Sequence, residues 1–183
     1  MLYFVTGSAG KFHEFQAQIP KLKQLKLDLD EIQSLDPRIV IEHKLEQAAT
    51  LHDGALIVED TSLSMDALRG LPGTFIKWFI ETLDVGGIAE LVVPYDDHRA
   101  TARTVIGYRN EKGERHFFEG VAHGTIAESP RGSGFGWDAI FIPEGYDKTF
   151  GELGPEIKQK ISMRRHAIDA LMKFLSTTTP ASR

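Results

Sequence analysis

The run Ala55-Leu56-Ile57-Val58 is the most apolar stretch of the chain, and it stops abruptly at Glu59-Asp60-Thr61. Consecutive aliphatic residues without polar alternation read as a buried strand. A shorter relative of this pattern, Leu2 to Val5, opens the chain and is broken by Gly7-Ser8-Ala9-Gly10. Phe12, Phe15 and Ile19 then recur at helical spacing until Pro20. Leu25, Leu27 and Leu29 alternate, which predicts a second strand, and Ile41, Leu45, Ala48 and Ala49 form one helical face ending near Asp53-Gly54.

The second half changes character. Leu71-Pro72-Gly73 reads as a turn and Phe75 to Leu83 as a helix. Ala100 to Arg109 and Arg115 to His123 are rich in β-branched and aromatic residues and flank Asn110-Glu111-Lys112-Gly113, which predicts a hairpin of long strands. A glycine-dense loop, Gly132-Ser133-Gly134-Phe135-Gly136, leads to a strand over Ala139 to Ile142. Ile161, Ile168, Leu171 and Leu175 share one face of a C-terminal helix. Strand–helix alternation followed by a hairpin predicts an α/β fold with a mixed sheet and a cleft where the strand ends release their loops. The 183 residues favour a single domain, 1–175, with a polar tail over 176–183 that cannot bury anything.

Three segments carry groups that suit phosphate, metal or base chemistry. Thr6-Gly7-Ser8-Ala9-Gly10-Lys11 joins a buried strand to a helix start, where backbone N–H groups, the helix N-terminus and a lysine can all face an anion. It is not a Walker loop, since Phe12 stands where the magnesium-binding hydroxyl belongs; the plain alternative is a tight turn with a surface lysine. Glu59 and Asp60 leave the apolar strand pointing to opposite sides, so one can face a cleft and hold a hard cation. Asp28, Asp30 and Asp36 read as solvated loop acids. In Phe135-Gly136-Trp137-Asp138 an aromatic ring could stack on a flat base while the acid accepts from a ring N–H, although aromatics are more often core. The basic cluster from Lys158 to His166 could reach phosphates or a base carbonyl, but reads by default as a solvated face.

Other chemistries are excluded. Zero cysteines remove disulfides, thiolate metal sites and cysteine nucleophiles. The seven histidines show no zinc spacing, and Gly132-Ser133-Gly134 has its serine in the wrong place for a nucleophile elbow. A formal charge of −5 suits no nucleic-acid backbone. The longest aliphatic run is far below the ~18 residues of a membrane span, and no signal peptide is visible, so a cytoplasmic protein acting on a small molecule is expected.

Taken together and in order, these segments resemble the inosine triphosphate pyrophosphatase family, which hydrolyses deaminated purine nucleotides. The resemblance runs from Phe4 to about Leu171 and rests on Thr6 to Lys11, Val58-Glu59-Asp60-Thr61, Gly70-Leu71-Pro72-Gly73 with Ile76-Lys77-Trp78-Phe79, and Phe135-Gly136-Trp137-Asp138. It implies a two-lobed fold about a long central mixed sheet, a homodimer, and a magnesium-dependent attack of water on the α-phosphorus of a nucleoside triphosphate. It implies that Thr6, Gly7, Ser8, Gly10 and Lys11 hold the triphosphate, with Thr61, Lys44 and Lys77 near the phosphates. Glu31 and Asp60 would be the magnesium-binding acids, with Glu59, Asp60 and Lys11 at the catalytic centre. Phe135, Gly136, Trp137 and Asp138 would meet the purine, Lys158 would lie beside it, and Ser162 and Arg164 fall in the last motif, with Arg164 donating to the base.

Two departures stand out. Ser8 replaces the asparagine of the usual Thr-Gly-Asn loop, and Met163 replaces the histidine of the usual Ser-His-Arg, removing a donor to the purine 6-oxo group. His166 lies three residues on, near enough on one helical face to compensate. Rival readings are a pyrophosphatase for pyrimidine or modified-base triphosphates and a nucleotide-binding module without catalysis.

Overall fold

The computed structural model describes residues 1–178; the expected tail therefore lies outside the described residues from 179 onward. The element order is β1 (Leu2–Val5), α1 (Ala9–Gln16), β2 (Lys23–Leu25), α2 (Pro37–Leu51), β3 (Ala55–Met65), a 3-10 turn (Asp66–Leu68), β4 (Pro72–Gly73), α3 (Ile76–Glu90), β5 (Arg99–Arg109), β6 (Arg115–Ile126), β7 (Phe141–Pro143), α4 (Phe150–Ile161) and α5 (Met163–Thr178). The strands form one mixed sheet in the order β2-β1-β3-β5-β6-β7, with β4 paired to β3. β1 runs parallel to both β2 and β3, while β4 on β3 and β7 on β6 are antiparallel. The expected mixed α/β architecture is thus present. Among the described residues no helix is long and apolar enough to cross a membrane.

The chain divides into two compact units. The first comprises 1–60, 104–120 and the helix α5 from Arg164. Its core has two parts, one on each face of the sheet. Phe4, Ala55, Ile57 and Ile106 pack with Phe15 of α1 and with Ala167, Ile168 and Leu171 of α5. Val5, Leu56, Val58 and Val105 pack with Ile41, Leu45 and Ala48 of α2. Coverage of both faces explains why the Ala55–Val58 run shows no polar alternation. The second unit comprises 61–103 and 121–163. It is built on Leu63, Met65, Ile88, Trp137, Phe141, Phe150 and Met163.

Several boundaries differ from the sequence reading. β3 does not stop at Val58 but continues through Glu59 and Asp60 to Met65. Both acids are paired with cations, so the strand can carry their charges into the protein. Leu27 and Leu29 are partly buried against the α2 side of the core, yet only Lys23–Leu25 joins the sheet, so their alternation reflects burial without a ladder. Residues 136–140 form turns, and the strand expected from Ala139 starts at Phe141. The helix expected over 75–83 runs on to Glu90 across a kink at Asp84, whose Oδ1 caps the second segment by accepting from Gly87 N–H at 3.0 Å. The C-terminal helix is two helices: α4 ends at Ile161, and Ser162 turns extended before α5 begins. Gly154 and Pro155 hid α4 from a reading based on helix propensity. α5 includes Ser176 and Thr177, which had been assigned to the tail.

Gly107 of β5 faces the α2 layer so closely that a Cβ there would stand 2.7 Å from Ile41 Cγ2 and 3.1 Å from Val58 Cγ2. Overpacking of this kind costs about 1–3 kcal/mol. Gly107→Ala should accordingly lower the unfolding free energy from urea melts by that amount, as a lower midpoint with an unchanged m-value; an unaltered midpoint would show that α2 yields freely at this contact.

Candidate active site

Within the first unit, the two-residue period of β3 sorts its last two side chains. Glu59 shares the parity of Ala55 and Ile57 and turns to the α1 and α5 face; Asp60 shares that of Leu56 and Val58 and turns to α2. Each meets a cation there.

The Glu59 side chain is fully buried. Its Oε2 lies 2.8 Å from Lys11 Nζ as an ion pair outside hydrogen-bond geometry. Its Oε1 accepts from Arg164 Nε and Nη2, both at 3.2 Å. Arg164 Nη1 also donates to Glu14 Oε2 at 2.6 Å, which ties α5 to α1. Burial works against the arginine's charge, but Glu59 and Glu14 outweigh it and hold the guanidinium above its ordinary range. Lys11 is placed by the turn before α1. There Ser8 is the N-cap, accepting from Lys11 N–H at 3.3 Å, while Ser8 N–H donates to Thr6 Oγ1 at 3.1 Å. Serine caps a helix as well as asparagine does, so the departure at Ser8 keeps the local geometry. Gly7 is exposed, and a Cβ there would touch nothing.

On the other face, Lys44 of α2 donates to Asp60 Oδ1 at 2.8 Å and lies 3.7 Å from Glu31 Oε1. Burial disfavours the ammonium, yet Asp60, Glu31 and Glu59 together raise its pKa. Glu31 belongs to an irregular segment that Gln47, one turn beyond Lys44 on α2, holds in place. Gln47 accepts from Asp30 N–H at 2.7 Å and donates to Asp30 Oδ2 at 3.0 Å. Asp36 is the N-cap of α2 ahead of Pro37, accepting from Arg38 N–H at 2.8 Å. Asp30 and Asp36, read as solvated loop acids, are exposed, and each also makes hydrogen bonds that fix its segment. Glu14 and Gln47 were missed; the available signals were Glu14 three residues after Lys11 and Gln47 three after Lys44, spacings that share a helix face.

In the second unit the glycine loop is clamped against the start of α4. Gly132 has φ of 73°, and a Cβ on it would lie 2.4 Å from the Gly151 carbonyl carbon. Thr149 and Glu152 form a capping box, and Thr149 Oγ1 donates to the Arg131 carbonyl at 2.7 Å. Asp138, buried, accepts through Oδ2 from Lys158 Nζ at 2.8 Å and from Phe135 N–H at 3.0 Å. The aromatic pair divides: Phe135 is 46% exposed, whereas Trp137 is buried edge-on to Phe141 with ring centroids 5.4 Å apart. Gly136 sits between them at φ 62°. Ser162 is the buried C-cap of α4, and Met163 lies in the apolar core of this unit. Lys77 is exposed in the first turn of α3, its ammonium 5.2 Å from the Trp78 ring centroid. Thr61 continues β3 at intermediate burial. His166 is exposed on α5.

The structure thus gathers the expected residues into three groups: Lys11, Glu59 and Arg164; Lys44, Asp60 and Glu31; and Phe135, Asp138 and Lys158. Arg164, expected at the base, contacts Glu59 and Glu14. Among the described residues no three or more of His, Asp and Glu converge as a ready-made metal cage. Magnesium does not require one, since it commonly takes one or two carboxylates together with substrate phosphates.

Known proteins of similar sequence and fold place the chain in a family. An inosine triphosphate pyrophosphatase of Scheffersomyces stipitis is 37% identical over 187 residues, covering 94% of this chain and 96% of that protein. One from Candida glabrata is 39% identical over 183 residues, covering 94% and 95%. Among solved structures, the Staphylococcus aureus Ham1 protein superposes with a TM-score of 0.81 at 28% identity, covering 97% of this chain and 99% of that one. A HAM1 protein from Coxiella burnetii gives 0.80 at 25% identity, covering 97% and 98%. The profile of the Ham1 family matches residues 2–174, and the chain belongs to that family.

Proposed function

We propose that this protein is a magnesium-dependent pyrophosphatase that converts deaminated purine nucleoside triphosphates (ITP, dITP and XTP) to the monophosphate and pyrophosphate. The observation that carries the reading is the pair of ammoniums, Lys11 and Lys44, anchored on consecutive acids of β3 beside the capped start of α1. Such an array suits a polyanion with a divalent ion better than any neutral ligand. The curated relatives, named inosine triphosphate pyrophosphatases, favour this over a binding module or a pyrimidine enzyme.

In this reading a water oxygen attacks the α-phosphorus, the bond to the α–β bridging oxygen breaks, and pyrophosphate leaves with the electron pair. Glu31 and Asp60 fit magnesium, because these two carboxylates already share one cation in Lys44. Bound there, the ion would neutralise phosphate charge and polarise the reacting phosphoryl group. Lys11 meets the phosphates by charge, and the loop from Thr6 to Gly10 offers backbone N–H groups. Glu59, with both oxygens committed to Lys11 and Arg164, acts by fixing Lys11. Phe135 supplies the exposed ring for a purine, and the Asp138–Lys158 pair supplies an acceptor and a donor. Homodimerisation, implied by the family resemblance, and action in the cytoplasm, where nucleotide pools lie, complete the proposal.

A panel of ITP, XTP, GTP, ATP and dTTP with magnesium, read by pyrophosphate release, tests it. Preference for ITP and XTP with pyrophosphate as product is expected; preference for dTTP would favour the pyrimidine reading, and no turnover of any would favour a binding module. The anchoring role of Arg164 has its own signature. Arg164→Met should cost about 3–5 kcal/mol in urea melts, because it leaves the buried Glu59 with Lys11 alone to compensate it. Arg115→Met, which breaks the exposed pair with Glu46, should cost about 0–1 kcal/mol. Equal effects would show that the buried cluster contributes nothing special.

A further inference from the structure

Lys44 Nζ stands within reach of both acids assigned to the metal, 2.8 Å from Asp60 Oδ1 and 3.7 Å from Glu31 Oε1. A divalent ion held by these carboxylates would compete with the ammonium for them. The lysine side chain is 11% exposed and Asp60 15%, so little water screens that pair, while Glu31 at 39% is more open to solvent. Two carboxylates facing each other without a cation would repel, and an ammonium on a four-carbon stem is a compact charge that can both fill such a gap and withdraw from it.

We propose that Lys44 is the resident counter-cation of the magnesium site: its ammonium holds Glu31 and Asp60 in the nucleotide-free protein and surrenders them when the metal arrives with its substrate. The exchange conserves the logic of charge. A divalent ion compensates both carboxylates by itself, and the displaced ammonium is left needing an anion, which the incoming triphosphate provides. Lys44 is then a positioning residue before binding and a phosphate ligand after it, and the enzyme carries a built-in penalty against binding free metal without nucleotide. Lys11 has no such role, since Glu59 turns to the opposite face of β3 and engages Arg164 as well. This inference rests on the assignment of Glu31 and Asp60 to magnesium made above.

Manganese binding to the nucleotide-free protein, followed by electron paramagnetic resonance, tests the exchange with a readout independent of turnover. Lys44→Met should bind Mn2+ at least ~10-fold more tightly than wild type, since it removes a competing cation at contact distance. Lys44→Arg, which keeps the charge, should not gain affinity, and Lys11→Met should change it less than ~3-fold because that charge acts from the other face. If Lys44→Met fails to fold, the wild type still decides: the Lys44 ammonium resonance, protected from exchange by Asp60, should lose its protection when magnesium is added together with a non-hydrolysable nucleoside triphosphate analogue. Equal Mn2+ affinity in wild type and Lys44→Met, equal gains in Lys44→Met and Lys11→Met, or an ammonium signal unmoved by magnesium bound with the analogue would overturn the exchange and leave the metal assignment standing. No Mn2+ bound by any of these proteins, Lys44→Met included, would overturn the exchange, and no Mn2+ bound even with a non-hydrolysable nucleoside triphosphate analogue present would overturn the metal assignment as well.

Discussion

The alternation of side chains along β3 is the constraint on which the chemistry of the first unit depends. Because the strand is covered on both faces, its consecutive residues Leu56, Ile57 and Val58 are all buried, and the next two positions inherit the same geometry with charged side chains. Glu59 is delivered to α1 and α5, and Asp60 to α2. Neither carboxylate could be tolerated there alone, since an isolated buried charge costs several kcal/mol or more. The helices on each face therefore contribute the compensating cations: Lys11 and Arg164 on one side, Lys44 on the other. Among these cations, the Lys11 and Lys44 ammoniums that meet the requirement of folding are those the proposed function assigns to phosphate.

A different device operates in the second unit. Backbone packing of Gly132 against Gly151, the Thr149–Glu152 capping box and the bond from Thr149 to the Arg131 carbonyl hold the loop on the first turn of α4. Asp138 then fixes the loop from within by accepting from Phe135 N–H, while Lys158 of α4 neutralises it. Phe135 is exposed as a consequence, with Trp137 serving as the apolar anchor beneath. Met163 joins the same apolar core, so its side chain fills space there and presents no donor.

The parts of this organisation that follow from local patterns were legible in the sequence. The buried β3 run, the turn before α1, the hairpin of β5 and β6 and the opposite facing of Glu59 and Asp60 all come from periodicity or turn chemistry, which act over a few residues. Features set by distant partners were not legible. Glu59-Asp60 looked like the end of a strand because nothing nearby reveals that Arg164, more than a hundred residues away, pairs with Glu59. Asp30 and Asp36 looked like loop acids because their roles depend on Gln47 and on where α2 begins. Arg164 was expected at the base from motif position alone, whereas its contacts with Glu14 and Glu59 follow from how α5 packs on α1.

The division of labour between the two adjacent acids is the central claim, and magnesium activation curves for Asp60→Asn and Glu59→Gln test it most directly. Asp60→Asn should reduce kcat by at least ~100-fold and move half-activation to higher magnesium, as removal of a group that stabilises charge at the reacting centre does. Glu59→Gln should leave half-activation by magnesium where it is and show its effect in stability and in the KM for the nucleotide, through loss of the Lys11 anchor. A magnesium shift in Glu59→Gln with none in Asp60→Asn would contradict the account and exchange the roles of the two residues.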